Sequence, residues 1–237
     1  MPRPFLTARW ERLLNVTWRV PPALLAPHVP RGVTLDVQEG HAFASLVAFD
    51  FLDTRVLGIP WPGFRHFPEL NLRFYVKRGR EHGEERGVVF LREYVPQRLV
   101  AAIARLTYNE PYVAAPMRSA LAHEGAAMAW SLEVDRAGRT HRIAVRAREP
   151  LAVPPVDSVT HYFQEHRWGF GRGHLGGTHV YEVVHPAWAN WAVASYTLDV
   201  DFAALYGPAW AFLKDAEPLS ASFAVGSPVA VYPHRGM

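Results

Sequence analysis

Glu69-Leu70-Asn71-Leu72-Arg73-Phe74-Tyr75-Val76-Lys77 alternates between polar and apolar side chains without a break. Successive side chains of a β-strand point to opposite faces. Glu69, Asn71, Arg73, Tyr75 and Lys77 therefore share one face, and Leu70, Leu72, Phe74 and Val76 share the other. Val88 to Tyr94 is the expected antiparallel partner. A carboxylate, an amide, a guanidinium and a phenol then project into one space. Two outcomes are open. Either the polar face meets water, as it does in many half-buried strands, or it lines a lumen. In a lumen, Glu69 is fit to move a proton, and Arg73 to clamp a carboxylate with its planar fork. Asn71 and Tyr75 would be further contacts to a ligand.

Working outward, short strand-like runs dominate. Leu13 to Val20 reads as a strand, and Pro21-Pro22 then opens a short helix through Leu25, where proline is tolerated in the first turn. Val33 to Val37 and Ala42 to Leu52 read as a hairpin around Gln38-Glu39-Gly40-His41. Residues 53–68 carry Gly58, Pro60, Pro62, Gly63 and Pro68 and form a loop, but Trp61, Phe64 and Phe67 predict that it folds back over something. Leu99, Ile103 and Leu106 have helical spacing and predict an amphipathic helix over 97–106. Further strands are expected between Met117 and Arg148, near 166–171, 178–185, 191–199 and 219–232. Short helices are expected after a cap at Asp157 and near 201–206. The proline-rich 149–155 segment is the best linker candidate. The strands after it are too few for an independent core, so the expectation is one domain over residues 1–237. The fold class is mainly β, a barrel or sandwich with a few short helices covering its ends.

Composition narrows the function. Eight Trp, nine Tyr and thirteen Phe supply a sheet-compatible core. There is no cysteine, which rules out disulfides, thiolate nucleophiles and Cys-ligated zinc. The net charge of +3 comes mostly from scattered arginines, so no nucleic-acid partner is expected. Lys77-Arg78-Gly79-Arg80, with Glu84 and Glu85 close behind, reads as a solvated hairpin tip. No apolar run resembles a signal peptide or a membrane span, so a cytoplasmic location without membrane contact is expected. His161, His166, His174, His179 and His185 crowd one segment but match no zinc spacing, and no metal or other cofactor is expected. The Gly-rich 169–177 run lacks the Lys-Ser/Thr of a phosphate loop and reads as a flexible hairpin tip. Arg105 to Tyr112 joins a helix to a strand, where loops tend to carry function. Arg105 is suited to pair with Glu110 or Glu69, or to hold a substrate. Packed core tyrosines with a structural ion pair are the plainer alternative.

Four segments, taken in order, resemble a known family. They are Trp18-Arg19-Val20-Pro21-Pro22-Ala23-Leu24-Leu25 with Val29 to Asp36, then Pro68 to Val76, then Ala104-Arg105 with Pro111 to Met117, and Tyr181 to Trp188. Together they resemble the YqjF-like family of uncharacterised bacterial proteins, within the acetoacetate-decarboxylase-like superfamily. The resemblance implies a fold centred on an antiparallel β-barrel or sandwich with an enclosed polar cavity. The decarboxylase of that superfamily forms a Schiff base with a cavity lysine that follows a proline, and a second lysine depresses its pKa. Here the matching positions are Tyr112, after Pro111, and Val113. A cavity glutamate of the decarboxylase matches Glu69. An active-site arginine near its N-terminus corresponds to Arg9 or Arg12.

A phenol cannot form a Schiff base, so decarboxylation by that route is not expected. What remains is acid–base chemistry on a small carbonyl or carboxylic-acid compound. Glu69 would move the proton, Tyr112 would hydrogen-bond a carbonyl or enolate oxygen, and Arg73 or Arg105 would hold a carboxylate. A non-catalytic protein that uses the same cavity for a small organic ligand is the alternative. The sequence leaves self-association open.

Overall fold

A computed structural model describes residues 3–80, 83–125, 127–174 and 176–237. The chain opens with β1 (Leu6–Val20), α1 (Pro22–Leu25), β2 (Thr34–Leu35), β3 (Ala42–Val56), β4 (Phe67–Arg80) and β5 (Gly83–Val95). Helix α2 (Arg98–Tyr108) leads into β6 (Tyr112–Ala114), β7 (Met117–Glu124), β8 (Ala127–Arg136) and β9 (Arg139–Ala152). After α3 (Val159–Gln164) come β10 (Trp168–Arg172), β11 (Thr178–Val184) and β12 (Asn190–Asp199). Helix α4 (Phe202–Tyr206), β13 (Ser220–Val231) and β14 (Arg235–Gly236) complete the chain.

Pairing runs β11–β10–β5–β4–β3–β1–β13, and β13 also pairs with β11, so this path closes into a ring. The ring is antiparallel except where β10 meets β5. From β13 the sheet continues through β12, β9 and β8 to β7. Strands on both sides of the proline-rich 149–155 segment thus share one sheet. That segment is itself partly strand, since β9 runs through Pro150 to Ala152.

Two buried regions result, one on each side of the ring wall. Leu14, Val16 and Trp18 of β1, Leu46 of β3 and Leu70, Leu72 and Phe74 of β4 point outward. They pack against Trp130, Leu132, Ile143 and Val145 of the extended sheet, while Phe202 and Trp210 cover the end. Trp10, Leu13, Val47, Phe49 and Glu69 line the interior. A bulge between Glu11 and Leu14, with Arg12 at φ 57°, lets Trp10 and Leu13 face the same side although they are an odd number of residues apart. Because both faces of β3 are covered, residues 42–51 are buried without interruption, the pattern of a strand inside two layers.

Some local expectations change. The expected reversal at 38–41 closes on a single Gln38–His41 bridge, but Val33 to Val37 does not pair with β3. Thr34 and Leu35 pair instead with Lys77 and Val76 of β4. Ser158, not Asp157, caps α3, accepting from His161 N at 3.2 Å. The 77–85 hairpin is an ion-paired one, with Lys77 bound to Glu84 at 3.1 Å and Arg78 to Glu85, and residues 81 and 82 lie outside the described residues.

Candidate active-site cavity

The ring encloses a cavity of about 220 Å³. Position along β4 sets its depth. Phe67 lies across from Phe51, Glu69 from Phe49, Asn71 from Val47 and Arg73 from Ser45. The Phe67 end opens between the 57–64 loop and α2, where Trp61 and Leu99 are each 47% exposed. The Arg73 end is closed by α3, whose Phe163 carbonyl accepts from Arg73 Nη2 at 3.0 Å. The 53–68 loop does fold back, as its aromatic residues predicted.

Glu69 is 2% exposed. Tyr112 Oη donates to its Oε2 at 2.9 Å, and Asn71 Nδ2 donates to its Oε1 at 3.0 Å. Burial pushes its pKa up to about 7, and the lowering pull of Asn71, Tyr112 and Arg73 does not offset that. Glu93, directly opposite Asn71 on β5, is likewise 2% exposed. Burial, and then the negative charge of Glu69 and Glu110, hold its carboxyl well above the usual range. Glu110, in the turn after α2, is 5% exposed and 3.8 Å from His179 Nε2. Burial raises its pKa against the opposing effect of His179 and Tyr181. Burial also raises Tyr112 and Tyr181 well above the ordinary phenol value, and the neighbouring carboxylates add to this.

The cavity therefore holds a Glu69 near its midpoint at neutral pH, a Glu93 and a Glu110 whose carboxyls both keep their protons above the usual range, two neutral phenols and the Arg73 guanidinium. Carboxyl groups whose environments push their pKa values apart are the arrangement that lets one act as acid and another as base. Several polar atoms here have no partner among the described residues: Arg73 Nε, Asn71 Oδ1, Glu93 Oε1 and both ring nitrogens of His166. Each such buried group costs about 1–3 kcal/mol.

Of the residues singled out from the sequence, Glu69, Asn71, Arg73 and Tyr112 line one cavity. Tyr75 does not. It shares their face, but it lies beyond Arg73, packed among Phe43, Val88 and Phe163, and its hydroxyl is bonded to Ser45 at 2.5 Å. Arg105 does not line the cavity either; it is exposed on the outer face of α2. It follows that helix's polar stripe, and Glu110 turns inward to His179 instead. Neither N-terminal arginine enters the cavity. Arg9 pairs with Glu11, and Arg12 binds Asp50 outside the ring. Lys77 is taken up by Glu84, and Lys214 is exposed, so no lysine reaches Tyr112.

Glu93, Tyr181 and His166 line the same cavity but were not singled out for it. A lone glutamate in an apolar strand is no signal until its cross-strand neighbour is known, and that neighbour is Asn71. The Gly-rich run offered a signal of another kind. Gly169 and Gly171 belong to β10 rather than to a flexible tip. A Cβ on Gly169 would lie 2.2 Å from the Tyr181 ring, and one on Gly171 2.4 Å from His179. These glycines make room for two side chains that lie across the strand beside Glu110. Among the described residues, no group of three or more His, Asp or Glu side chains is placed to hold a metal ion.

Solved structures share this architecture. An acetoacetate decarboxylase-like enzyme from Sphingomonas wittichii RW1 superposes with a TM-score of 0.67 at 15% identity, over 98% of this chain and 92% of that one. The enduracididine biosynthesis enzyme MppR, complexed with the condensation product of pyruvate and imidazole 4-carboxaldehyde, gives 0.66 at 13% identity, over 100% and 90%. Acetoacetate decarboxylase from Legionella pneumophila gives 0.66 at 12%, over 100% and 87%. At these identities the likeness shows the fold. The uncharacterized protein YqjF of Bacillus subtilis (strain 168) is 35% identical over 112 residues, 46% of this chain. The match spans 44% of that relative, less than half its length. A family model described as an uncharacterized conserved protein matches residues 7–228, and the chain therefore belongs to that family, DUF2071, with an acetoacetate-decarboxylase-like fold.

Proposed function

We propose that the cavity binds a small carbonyl or carboxylic-acid compound and moves a proton on it, without a covalent intermediate. The observation that carries this is Glu69, a fully enclosed carboxyl with a pKa near 7, oriented by Tyr112 and Asn71 and facing the protonated Glu93. A base titrating near the working pH is the efficient one, and such a base contributes about 10²–10⁴-fold to rate. Ionised Glu69 takes a proton from a carbon next to a carbonyl. Protonated Glu93 donates a hydrogen bond to the oxygen on which charge builds up, while the single Tyr112 O–H stays on Glu69 and holds the base in place, and Glu93 is able to return a proton at a second carbon. Isomerisation, hydration or lyase chemistry all fit this pair. The pyruvate adduct held by MppR supports a keto-acid ligand for this fold.

Hydrogen–deuterium exchange at carbon tests the reading without knowledge of the product. Keto and enoic acids are incubated in D2O with wild type or Glu69→Gln and followed by NMR. Exchange at one carbon position, lost at least a hundredfold in Glu69→Gln, is expected. Ligands that bind without any exchange would replace the enzyme by a non-catalytic binding protein using the same cavity.

A further inference from the structure

Resting on that reading, we infer that the ligand is a monocarboxylate with a bulky aromatic or branched body, its carboxylate held by Arg73 and His166 and its body seated among Trp10, Phe49, Phe51 and Phe67. The cavity is graded along β4. At its closed end Arg73 has no carboxylate within ion-pair distance among the described residues. Its guanidinium spends one N–H on the Phe163 carbonyl, and its buried Nε–H is unmatched. His166 is 8% exposed, and neither of its ring nitrogens has a partner. Burial, then Arg73 and Arg86, lowers its pKa to about 3, so it is a neutral imidazole with one N–H to give. Two unmatched donors at the blind end of a cavity, one of them cationic, fit a carboxylate.

The open end is mostly aromatic, and its unmatched polar atoms, Trp10 Nε1 and Thr54 Oγ1, are uncharged. Trp10 packs on Phe49 and Phe51 at centroid distances of 5.2 and 5.6 Å, and Phe51 stacks on Phe67 at 4.7 Å. These rings present apolar wall to the cavity. From Arg73 to Phe67 the strand rises roughly 20 Å, at about 3.3 Å per residue. A three-carbon acid anchored at Arg73 leaves this aromatic end empty. An acid with a ring or branched chain reaches from Arg73 past Glu69 and Glu93 toward these rings, of which Phe49, across from Glu69, comes first.

Matched probes test the inference on the wild-type protein. Titration calorimetry compares 3-phenylpropanoate, propanoate and 3-phenylpropanamide. The first is expected to bind at least tenfold more tightly than either of the others. Equal affinity for propanoate would overturn the bulky body, and equal affinity for the amide would overturn the carboxylate. Arg73→Lys and His166→Phe are each expected to weaken 3-phenylpropanoate about tenfold and leave the amide unchanged. Phe49→Ala should weaken both phenyl compounds and spare propanoate. Loss of the phenyl preference while short keto acids still exchange deuterium would sink this inference alone. Tight 3-phenylpropanoate binding with no exchange on any acid would sink the proton-transfer reading alone.

Discussion

Asp50 and Glu69 are buried carboxyl groups on paired strands, 3% and 2% exposed, within one residue of facing each other in register. They point to opposite sides of the ring wall. Asp50 faces the extended sheet and is saturated. Ser119 Oγ donates at 2.5 Å, Trp130 Nε1 at 2.9 Å and Arg12 Nε at 2.8 Å. It ties β1, β7 and β8 to β3. Glu69 faces the cavity and receives two uncharged donors but no arginine contact. Equal burial thus produces two different groups. A carboxylate compensated by charge and hydrogen bonds serves as a structural joint. One left under-compensated in a cavity holds its proton to neutral pH and is available for chemistry.

The largest expected effect lies on the structural side. Asp50→Ala leaves the Trp130 N–H and the Ser119 hydroxyl without their acceptor and takes one of the two carboxylate partners of Arg12, the other being Glu11, and should cost about 3–5 kcal/mol in denaturant unfolding. A loss below 1 kcal/mol would show that the joint is not holding the sheets.

Glu69→Gln should act in the opposite sense. The folded pKa of about 7 lies above the ordinary 4.5, so the folded state binds this proton more tightly than the unfolded chain does. Stability from this group is full below about pH 4.5 and is lost as pH rises through 7. The glutamine variant avoids that loss. It should match wild type near pH 4 and exceed it by on the order of 3 kcal/mol above pH 8. A difference that does not vary with pH would place Glu69 in water and erase the contrast with Asp50.

Gly169→Ala probes the wall between cavity and strand. The added methyl collides with the Tyr181 ring and should cost about 1–3 kcal/mol by overpacking. Because it displaces Tyr181 from beside Glu110, it should also alter the affinity for any acid that binds. Arg105→Ala should do least. It removes an exposed side chain from α2, and is expected to shift stability by no more than about 0.5 kcal/mol and to leave ligand affinity unchanged. A tenfold loss of affinity would return Arg105 to the site.

Much of this contrast was legible in the chain. The alternation of 69–77 predicted the strand, its two faces and the shared direction of Glu69, Asn71 and Arg73. The Pro111-Tyr112 match placed Tyr112, and Tyr112 does reach Glu69. The same alternation included Tyr75, because periodicity reports which face a side chain takes but not how far along the strand the cavity extends. Arg105 was drawn in by proximity in sequence to Glu110, whereas the helix turns the two apart. Glu93 gave no signal, and His166 was seen only as one of five histidines in a segment that matched no zinc spacing, since a carboxylate or an imidazole looks the same in the chain whether it meets water, a partner or a void.

By itself the sequence determined the strand-rich class, the β4 faces and the absence of a lysine at position 112, because these depend on local periodicity and residue identity. Only the tertiary structure decided that the polar face is enclosed, that three glutamates converge there, and that Asp50 finds an arginine while Glu69 does not. Charge compensation is set by distances between strands far apart in sequence, and ring closure through β11 and β13 fixes those distances.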